Sequence, residues 1–417
     1  MLPDKSSSVR VLLLVISFLM MGLNSHAATI TVGKPNTSCP NAQYNTINAA
    51  VKAAAPGDVI KICPALYTEQ IIVTKPLTLQ GIVSNVNGNE VGRVLLHPAL
   101  QDLQNLPVEA VITVMNTSNV TIENLAIDAS RNSVQGCTPE IADIHFYNAS
   151  GTANNNTLSG AQLAHPQSCG AIFPGNGFGV LVDSNTPGPF QVAIENNSIH
   201  DFTKDGVQAI NAGVTVDVEG NNISGVGPSI PFQFGIFIAN GAVGVVKQNV
   251  ISEGDCGTLS VPACIGARSE GVTLRAVGDG TVIDHNIITR AQSGIFVNGA
   301  NNSQITNNLI SDIDAMSGID IQGSASGYFS NSLIDGNTIF NVGPIDGWAT
   351  RDGEGCGIDE YSGTGVSGNT ISHTTVNDAY CGVAAVAADQ VASGSYSNTL
   401  YTQLNADLNS FPPAVEP

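Results

Sequence analysis

Short runs of alternating apolar and polar residues follow one another along most of this chain. In SGIFVN at 293–298, Ile295 and Val297 lie on one side and Phe296 and Asn298 on the other. A period of two over a few residues, rich in Ile and Val, indicates a β-strand with one buried side. The pattern therefore predicts an all-β protein built from many short strands.

Two short motifs recur and alternate among these strands. The first is glycine followed by isoleucine or valine, at Gly179, Gly206, Gly235, Gly271, Gly294, Gly318, Gly357 and Gly382. The second is asparagine two residues before isoleucine, at Asn197, Asn221, Asn249, Asn286, Asn308, Asn337 and Asn369. The glycines at 271, 294 and 318 are 23 and 24 residues apart. The longer intervals between glycines look like the same repeat with an insertion.

A repeat of this length indicates a solenoid, in which the chain returns to the same place one coil further on. Parallel strands of successive coils would stack about 4.8 Å apart, and each repeat would bury its apolar side against its neighbours. Asparagine at a bend can hydrogen-bond to its counterpart on the next coil and tolerates turn geometry. With three short strands per coil, no helix and no leucine-rich spacing, the sequence predicts a single-stranded parallel β-helix over residues 82–389.

The first 27 residues have the features of a secretory signal peptide. Lys5 and Arg10 precede an apolar run at 11–23, and Ser25 and Ala27 are small residues at the positions that precede cleavage. The run is short for a membrane span, so a retained anchor is the weaker alternative. We expect a mature protein that is secreted or periplasmic and has no membrane span.

The mature chain begins differently from the repeats. Residues 44–55 place Ile47, Ala50, Val51 and Ala54 on one face of a helix,. An open solenoid end exposes core and unpaired strand edges, so this helix is expected to cap the N-terminal end within residues 28–81. The polar and Pro-rich tail at 390–417 is expected to cap the other end or to extend from it as a disordered segment.

The segment TINAAVKAAAPGDVIKICPALYTEQIIVTKPLTLQG at 46–81, followed by the Asn-x-Ile coils, resembles the right-handed parallel β-helix proteins of the pectin-lyase-like superfamily. The resemblance covers most of the mature chain and implies a right-handed solenoid, export and an association with polysaccharides. The catalytic motifs of the methylesterase, polygalacturonase and alginate-epimerase branches are absent. The resemblance therefore implies no particular reaction, because one fold serves many activities.

Charge and cysteine content narrow the partners and the compartment. The formal charge of −20 over 417 residues argues against nucleic acid or an anionic membrane as partner, since both favour a basic surface,. Eight cysteines without a Cys-x-x-Cys motif fit an exported protein with disulfides,. Their order predicts four local disulfides: Cys39–Cys63, Cys137–Cys169, Cys256–Cys264 and Cys356–Cys381.

Insertions are predicted to collect on one edge of the solenoid. Residues 225–233, 252–269 and 340–355 all follow an Asn-x-Ile bend and precede a Gly-Ile strand, and 131–176 looks like a larger insertion at the same edge. Loops on one edge build a wall, and the exposed side of the Gly-Ile strands beside it becomes the expected groove.

Alternation names the side chains that should face this groove. The outward positions hold Arg275, Asn298, Asp320, Gln322, Asp359 and Tyr361, and the loop at 343–357 adds Trp348 and Arg351. Glu360 would point inward, which is costly for an unpaired carboxylate, so the strand is expected to break there. His200, His285 and His373 lie near coil bends without metal-ligand spacing, and we interpret them as turn residues.

Asp320 and Asp359 should stack on adjacent coils, where one of the two pKa values should rise because both cannot ionise cheaply. Such a pair suits the acid and nucleophile of a glycoside hydrolase, with Arg275 as a third catalytic candidate, or two ligands of Ca²⁺. Asn298, Gln322, Tyr361, Trp348 and Arg351 would bind substrate. The alternative is that these acids are solvated surface and that Arg275 forms an ordinary salt bridge.

Two functions stay open from the sequence. The chain is either an exported protein that binds and cleaves polysaccharide, as a lyase or a hydrolase, or a non-catalytic glycan-binding or cell-surface scaffold. No cofactor is required by either, although calcium fits an acidic groove, and a monomer is expected. The negative charge favours a neutral glycan, or an acidic one bridged by Ca²⁺.

Overall fold

The computed structural model describes most of the chain beyond residue 26. The described residues are 27–35, 39–86, 89–100, 108–134, 138–163, 177–227, 232–252, 254, 269–314, 316–322, 329–343, 355–361, 366–385, 390–391 and 395–405. These ranges leave out residues 1–26 of the predicted signal peptide, the predicted site residues Trp348 and Arg351, and the predicted disulfides Cys137–Cys169 and Cys256–Cys264. Of Tyr361 and Cys381, only the backbone is described.

The first side of the solenoid, face A, is a parallel sheet of thirteen short strands. They are β1 Thr29–Val32, β2 Val59–Ile62, β5 Thr78–Gly81, β10 Val120–Glu123, β13 Gly151–Asn154, β16 Phe190–Glu195, β19 Val214–Glu219, β22 Val243–Lys247, β25 Val282–Asp284, β28 Gln304–Thr306, β32 Leu333–Asp335, β36 Thr370–Ser372 and β38 Gln390–Val391. Neighbours in this order hydrogen-bond to each other, so each coil adds one strand to face A.

Face B consists of the strands that follow face A in each coil, most of them directly after an asparagine bend. They are β3 Leu66–Tyr67, β8 Val94–Leu96, β11 Leu125–Asp128, β14 Thr157–Ser159, β17 Ser198–His200, β20 Asn222–Ser224, β23 Val250–Ser252, β26 Ile287–Ala291, β29 Leu309–Ile313, β33 Thr338–Val342, and the first halves of β37 Thr375–Ala385 and β39 Ser395–Asn405. All its pairings are parallel, as expected for successive coils.

Face C contains the Gly-Ile strands. They are β4 Ile71–Val73, β9 Val108–Met115, β12 Glu140–Tyr147, β15 Gly177–Asp183, β18 Asp205–Ile210, β21 Phe234–Ala239, β24 Glu270–Arg275, β27 Ser293–Asn298, β30 Ile319–Gln322, β34 Cys356–Tyr361 and the second halves of β37 and β39. Two small sheets lie outside the faces, β6 Ser84–Val86 with β7 Asn89–Gly92 and β31 Phe329–Ser330 with β35 Val366–Ser367. The inward side chains of the three faces form one continuous apolar core. The predicted parallel β-helix is confirmed.

The bend between faces A and B contains the predicted asparagine ladder. The backbone N–H and the Nδ2 of Asn197 both donate to Oδ1 of Asn221, at 2.8 and 3.0 Å. Asn221 repeats the same two bonds to Asn249 at 2.9 and 3.0 Å. The complete ladder is Asn156, Asn197, Asn221, Asn249, Asn286, Asn308 and Asn337, all buried. Each coil thereby satisfies the polar groups of the next one.

Asn369 does not belong to this ladder, although its motif is the same. Its Oδ1 accepts a hydrogen bond from the backbone N–H of Ser332, and Thr370 is paired with Leu333 on face A. The Asn-x-Ile motif alone does not show which bend of a coil its asparagine occupies. Asn156 was missed for a related reason, since Leu158 takes the place of the isoleucine.

The two sequence motifs meet inside the solenoid. A Cβ atom added to Gly206 would lie 2.5 Å from Cγ2 of Ile223, and one added to Gly235 would lie 2.4 Å from Cγ2 of Ile251. The same contact recurs at Gly179, Gly271, Gly294 and Gly318. At these six positions the glycine of a face C strand therefore makes room for the isoleucine of an Asn-x-Ile bend, which explains why the two motifs alternate.

Residues 131–176 are not a single insertion, as the sequence had suggested. They contain a further coil made of β12, β13 and β14. Asp143 occupies the glycine position of β12, opposite Gly179, and is fully buried. Its Oδ1 accepts a hydrogen bond from the backbone of Ala129 at 3.1 Å, and burial raises its pKa well above the ordinary value. The coil escaped detection because it lacks both motifs.

The N-terminal helix, α1, spans Ile47–Ala53. The side chain of Thr46 accepts a hydrogen bond from Ala49 N and so begins the helix later than predicted,. Ile47, Ala50 and Val51 join the main core, and α1 packs near β1, β2 and β4. A role in capping the end of the solenoid stays a prediction.

The disulfide prediction is confirmed for Cys39–Cys63. Cys356 is also disulfide-bonded, and its register partner on the next coil is Cys381, as the predicted pair requires. Cross-links between neighbouring coils suit an exported protein. No helix in the described ranges has the length and apolar character that a membrane crossing requires.

Candidate functional site

The register of face C brings several of the predicted site residues together. Asp320 of β30 is paired with Asp359 of β34, and Gln322 with the backbone of Tyr361. Arg275 of β24, two coils before β30, is paired with Asn298 of β27, one coil before β30. These positions form two parallel rows on the outer side of face C, because Ile319 and Ile321 between them point into the core.

The outer side of face C is less open here than the sequence suggested. Asp320 and Asp359 are only 2% and 5% exposed, and Phe296, which is paired with Asp320, is 2% exposed. Asn298 and Gln322 are half-buried, and Arg275 is exposed. The polar row that solvent can reach is therefore Arg275, Asn298 and Gln322. The carboxylates of Asp320 and Asp359 belong to the neighbouring row and are buried.

Contacts within the row fix its side chains. The Nε2 of Gln322 lies 3.4 Å from both carboxylate oxygens of Asp320. The guanidinium of Arg275 lies over the ring of Phe296, 5.3 Å from its centroid. A cation over an aromatic face is attracted by the ring quadrupole. Arg275 is therefore held by a cation–π contact with Phe296, which the sequence did not predict.

The expected strand break at Glu360 is wrong. Strand β34 runs unbroken through this residue, which is paired with Ile321 and fully buried. Its Oε1 accepts a hydrogen bond from Nδ2 of Asn369 at 3.3 Å. A hydrogen-bond donor from the neighbouring bend makes the inward carboxylate tolerable, which the strand sequence alone could not reveal.

A second polar cluster on face C was missed by the sequence reasoning. Asp205 is fully buried at the start of β18, and Nε2 of Gln208 donates to its Oδ2 at 2.7 Å. Lys204 is 8% exposed, with its Nζ 4.7 Å from the ring centroid of Phe234. Glu270 lies two coils from Asp205 in the same row, at the position before the glycine, where the alternation of the strand gives no signal.

Burial shifts the pKa values of this cluster in opposite directions. It raises the pKa of Asp205 to about 7, against the opposing attraction of Lys204 and the hydrogen bond from Gln208. It lowers the pKa of Lys204, with Asp205 acting in the opposite sense. The outer side of face C thus contains a carboxyl group that exchanges its proton near neutral pH, as general acid–base groups do.

The carboxyl group of Asp205 should make the free energy of unfolding depend on pH. Between pH 4 and 7 the unfolded chain loses the Asp205 proton while the folded chain keeps it, so stability should fall as pH rises. Asp205→Asn retains the oxygen that accepts from Gln208 but cannot ionise. We expect the variant to gain about 4 kcal/mol over wild type between pH 4 and pH 8, measured by urea unfolding. Parallel pH profiles of the two proteins would contradict the assignment.

The histidines near the bends are turn residues, as predicted. His285 and His373 have left-handed φ values of 53° and 47°. Their Nδ1 atoms lie 2.7 Å from carboxylate oxygens of Asp284 and Asp335. His200 ends β17 and lies 2.7 Å from Asp201, which has φ 55°.

The described residues contain no cluster of side chains that would form a metal site. Nowhere within them do three or more His, Cys, Asp and Glu side chains come together as a metal site. Calcium at Asp320 and Asp359 stays a prediction, since further oxygen ligands would have to complete its shell.

Comparisons with known proteins agree with the fold. The family described as "Right handed beta helix region" matches residues 270–400. No curated protein matches the chain. Similar solved structures include the Dettilon tailspike protein (gp208), at 14% identity and TM-score 0.47, with 82% of this chain and 62% of the tailspike covered.

Two enzymes are among the other similar structures. The A-module of mannuronan C-5 epimerase AlgE4 from Azotobacter vinelandii has 16% identity and TM-score 0.47, with 85% of this chain and 94% of that one covered. Pectate lyase Pel9A has 13% identity and TM-score 0.42, with 89% and 80% covered. At these identities the similarity carries no activity over to this chain.

Proposed function

Taking the chain as a right-handed parallel β-helix protein, we propose that it binds polysaccharide along the outer side of face C, with the sugar chain parallel to the solenoid axis. The observation that carries this is the row Arg275, Asn298 and Gln322, which recurs at one position on three successive coils. Coils are spaced by about 5 Å, which is comparable to the length of one sugar residue in an extended chain. Successive residues would meet successive side chains.

The chemistry of the row suits sugar hydroxyls. The amides of Asn298 and Gln322 both donate and accept hydrogen bonds, and the guanidinium of Arg275 donates in a planar fork. The net charge of −20 disfavours a polyanion in the absence of a bridging cation,. We therefore propose a neutral glycan, or an acidic glycan bound through Ca²⁺.

Cleavage of the bound glycan is the second candidate function. Asp320 and Asp359 are in register on neighbouring strands. Such strands lie about 5 Å apart, which is close to the carboxyl separation of a retaining hydrolase. Asp205, with its pKa near 7, would be a proton donor on the same face, and Lys204 a candidate base for a lyase,. The non-catalytic scaffold is the alternative in which the glycan binds and stays intact.

Binding is tested with a panel of neutral and acidic polysaccharides, each with Ca²⁺ or with chelator, by isothermal titration calorimetry. The double variant Asn298→Ala/Gln322→Ala should bind about 10- to 30-fold more weakly, since it loses two or more hydrogen bonds to the ligand. The control is Gln304→Ala, which removes an exposed amide from face A and should bind as wild type does. Equal affinities in both variants, or no binding by wild type, would overturn the proposal.

The same mixtures, analysed by mass spectrometry, separate an enzyme from a scaffold. New oligosaccharides that disappear in Asp320→Asn would identify cleavage at this carboxyl pair. Products lacking one water would mark a lyase, and products without that loss a hydrolase. Binding without products would establish the scaffold for the polysaccharides tested.

A further inference from the structure

A separate cleft lies on face A, away from the candidate site. Its volume is about 570 Å³, and it lies across the four consecutive strands β10, β13, β16 and β19. The side chains and backbone that line it share no residue with the polar rows of face C. Neither the fold nor the proposed glycan row on face C accounts for it.

The cleft is built from two rows of outward positions. In the first row, Gln191 is paired with Thr215. In the second, Thr152 is paired with Thr121 on one side and with Ala193 on the other. The lining also includes Asn119 and Ser150 in the first row, Asp217 in the second, and Val120, Gly151 and Val192 between the two rows.

The shape of the cleft follows from Ala193. It is paired with Thr152 and with Asp217, and both neighbours carry longer side chains. Val192 and Ile194 on either side of it point into the core. A methyl group between two larger outward side chains leaves a recess in an otherwise continuous sheet surface.

The lining is rich in hydroxyl and amide groups and contains one carboxylate. Hydroxyl and amide side chains both donate and accept hydrogen bonds, which suits a polyhydroxy ligand. Oδ1 of Asp217 is shielded from solvent and accepts no hydrogen bond from the described residues. Asp217 as a whole is half-buried and lines the cleft, so its carboxylate offers a hydrogen-bond acceptor to a ligand hydroxyl,.

The charges in and around the cleft disfavour anionic ligands and Ca²⁺. Lys and Arg are absent from the residues that line the cleft, and Glu195 and Glu219 are paired just beyond it. Lys247 beyond them is already bound to Glu219 at 3.0 Å. An anion would therefore be repelled, and a single carboxylate is too few for a Ca²⁺ site.

We propose that the face A cleft is a second saccharide-binding site, specific for one or two residues of a neutral sugar. Its hydroxyl-bearing residues Thr121, Thr152 and Thr215 and the amide of Gln191 bind sugar hydroxyls, and Asp217 accepts a hydrogen bond from one of them. The site is independent of the glycan row on face C, because no side chain is common to both.

The test uses saturation-transfer NMR with neutral mono- and disaccharides of glucose, galactose, mannose and N-acetylglucosamine. Ala193→Tyr fills the recess from an outward position and should weaken binding at least tenfold. The matched control is Val282→Tyr, which lies outward in the same row two coils beyond Asp217. It should bind as wild type does.

Thr152→Val and Asp217→Asn guard against a folding defect in the tyrosine variant, since both keep the size of the side chain. Each should weaken binding severalfold. The face C variant Asn298→Ala/Gln322→Ala should retain binding of these sugars, which keeps this test separate from the first proposal. No sugar bound by wild type at millimolar concentration, or wild-type binding by Ala193→Tyr, overturns the inference.

Discussion

Replacing Gly235 with alanine is expected to lower the free energy of unfolding by about 3 kcal/mol. The new Cβ would lie 2.4 Å from Cγ2 of Ile251 and 2.6 Å from the backbone oxygen of Gly271. Neither neighbour yields easily, because Ile251 belongs to the core and Gly271 O belongs to the next strand of face C. Urea unfolding followed by circular dichroism measures the loss.

Gly343→Ala is the matched control, since a Cβ at that position meets nothing within 4 Å. Its stability should stay within about 0.5 kcal/mol of wild type. Equal losses in the two variants would mean that the cost comes from glycine replacement in general. The interlocking of glycine and isoleucine between faces B and C would then be wrong.

Asn221→Ala should be comparably damaging, with a loss of about 3 kcal/mol. The Asn221 side chain accepts hydrogen bonds from the backbone N–H and the Nδ2 of Asn197. Its own Nδ2 donates to the backbone oxygen of Ile194 at 2.7 Å and to Oδ1 of Asn249 at 3.0 Å. Truncation leaves several buried groups of neighbouring coils without partners.

The chain offers a control in the adjacent residue. Asn222 is exposed and points away from the ladder, so Asn222→Ala should change stability by less than about 0.5 kcal/mol,. Hydrogen–deuterium exchange should also rise around Asn197 and Asn249 in the Asn221 variant alone. Similar behaviour of the two variants would show that the ladder contributes little to the stacking of coils.

Much of the fold could be predicted because the chain repeats itself. The alternation of apolar and polar residues predicted which side of each strand is buried. The interval between the glycines predicted the length of one coil, and the repeated asparagines predicted a bend. The prediction failed where a coil departs from the motif: Asp143 replaces the glycine of β12, and a whole coil was taken for an insertion. It failed again at Asn369, because a local motif does not specify which of several bends it occupies.

The candidate site was predicted only in part, for a different physical reason. Alternation establishes that Asp320 and Asp359 leave the strand on its outer side, and their pairing confirms the shared row. It does not establish what packs beside them, so their burial was not foreseen. Asp205 was missed because its significance comes from desolvation and from Lys204, neither of which appears in a strand pattern.

The claim that a glycan lies along face C is tested most directly by hydrogen–deuterium exchange with the tightest-binding polysaccharide of the panel. We expect slower exchange on binding in peptides that cover β24, β27 and β30, between Glu270 and Gln322. Peptides of face B on the same coils, such as those covering β26, serve as the internal reference. Protection confined to other parts of the chain, with β24, β27 and β30 unchanged, would contradict the claim.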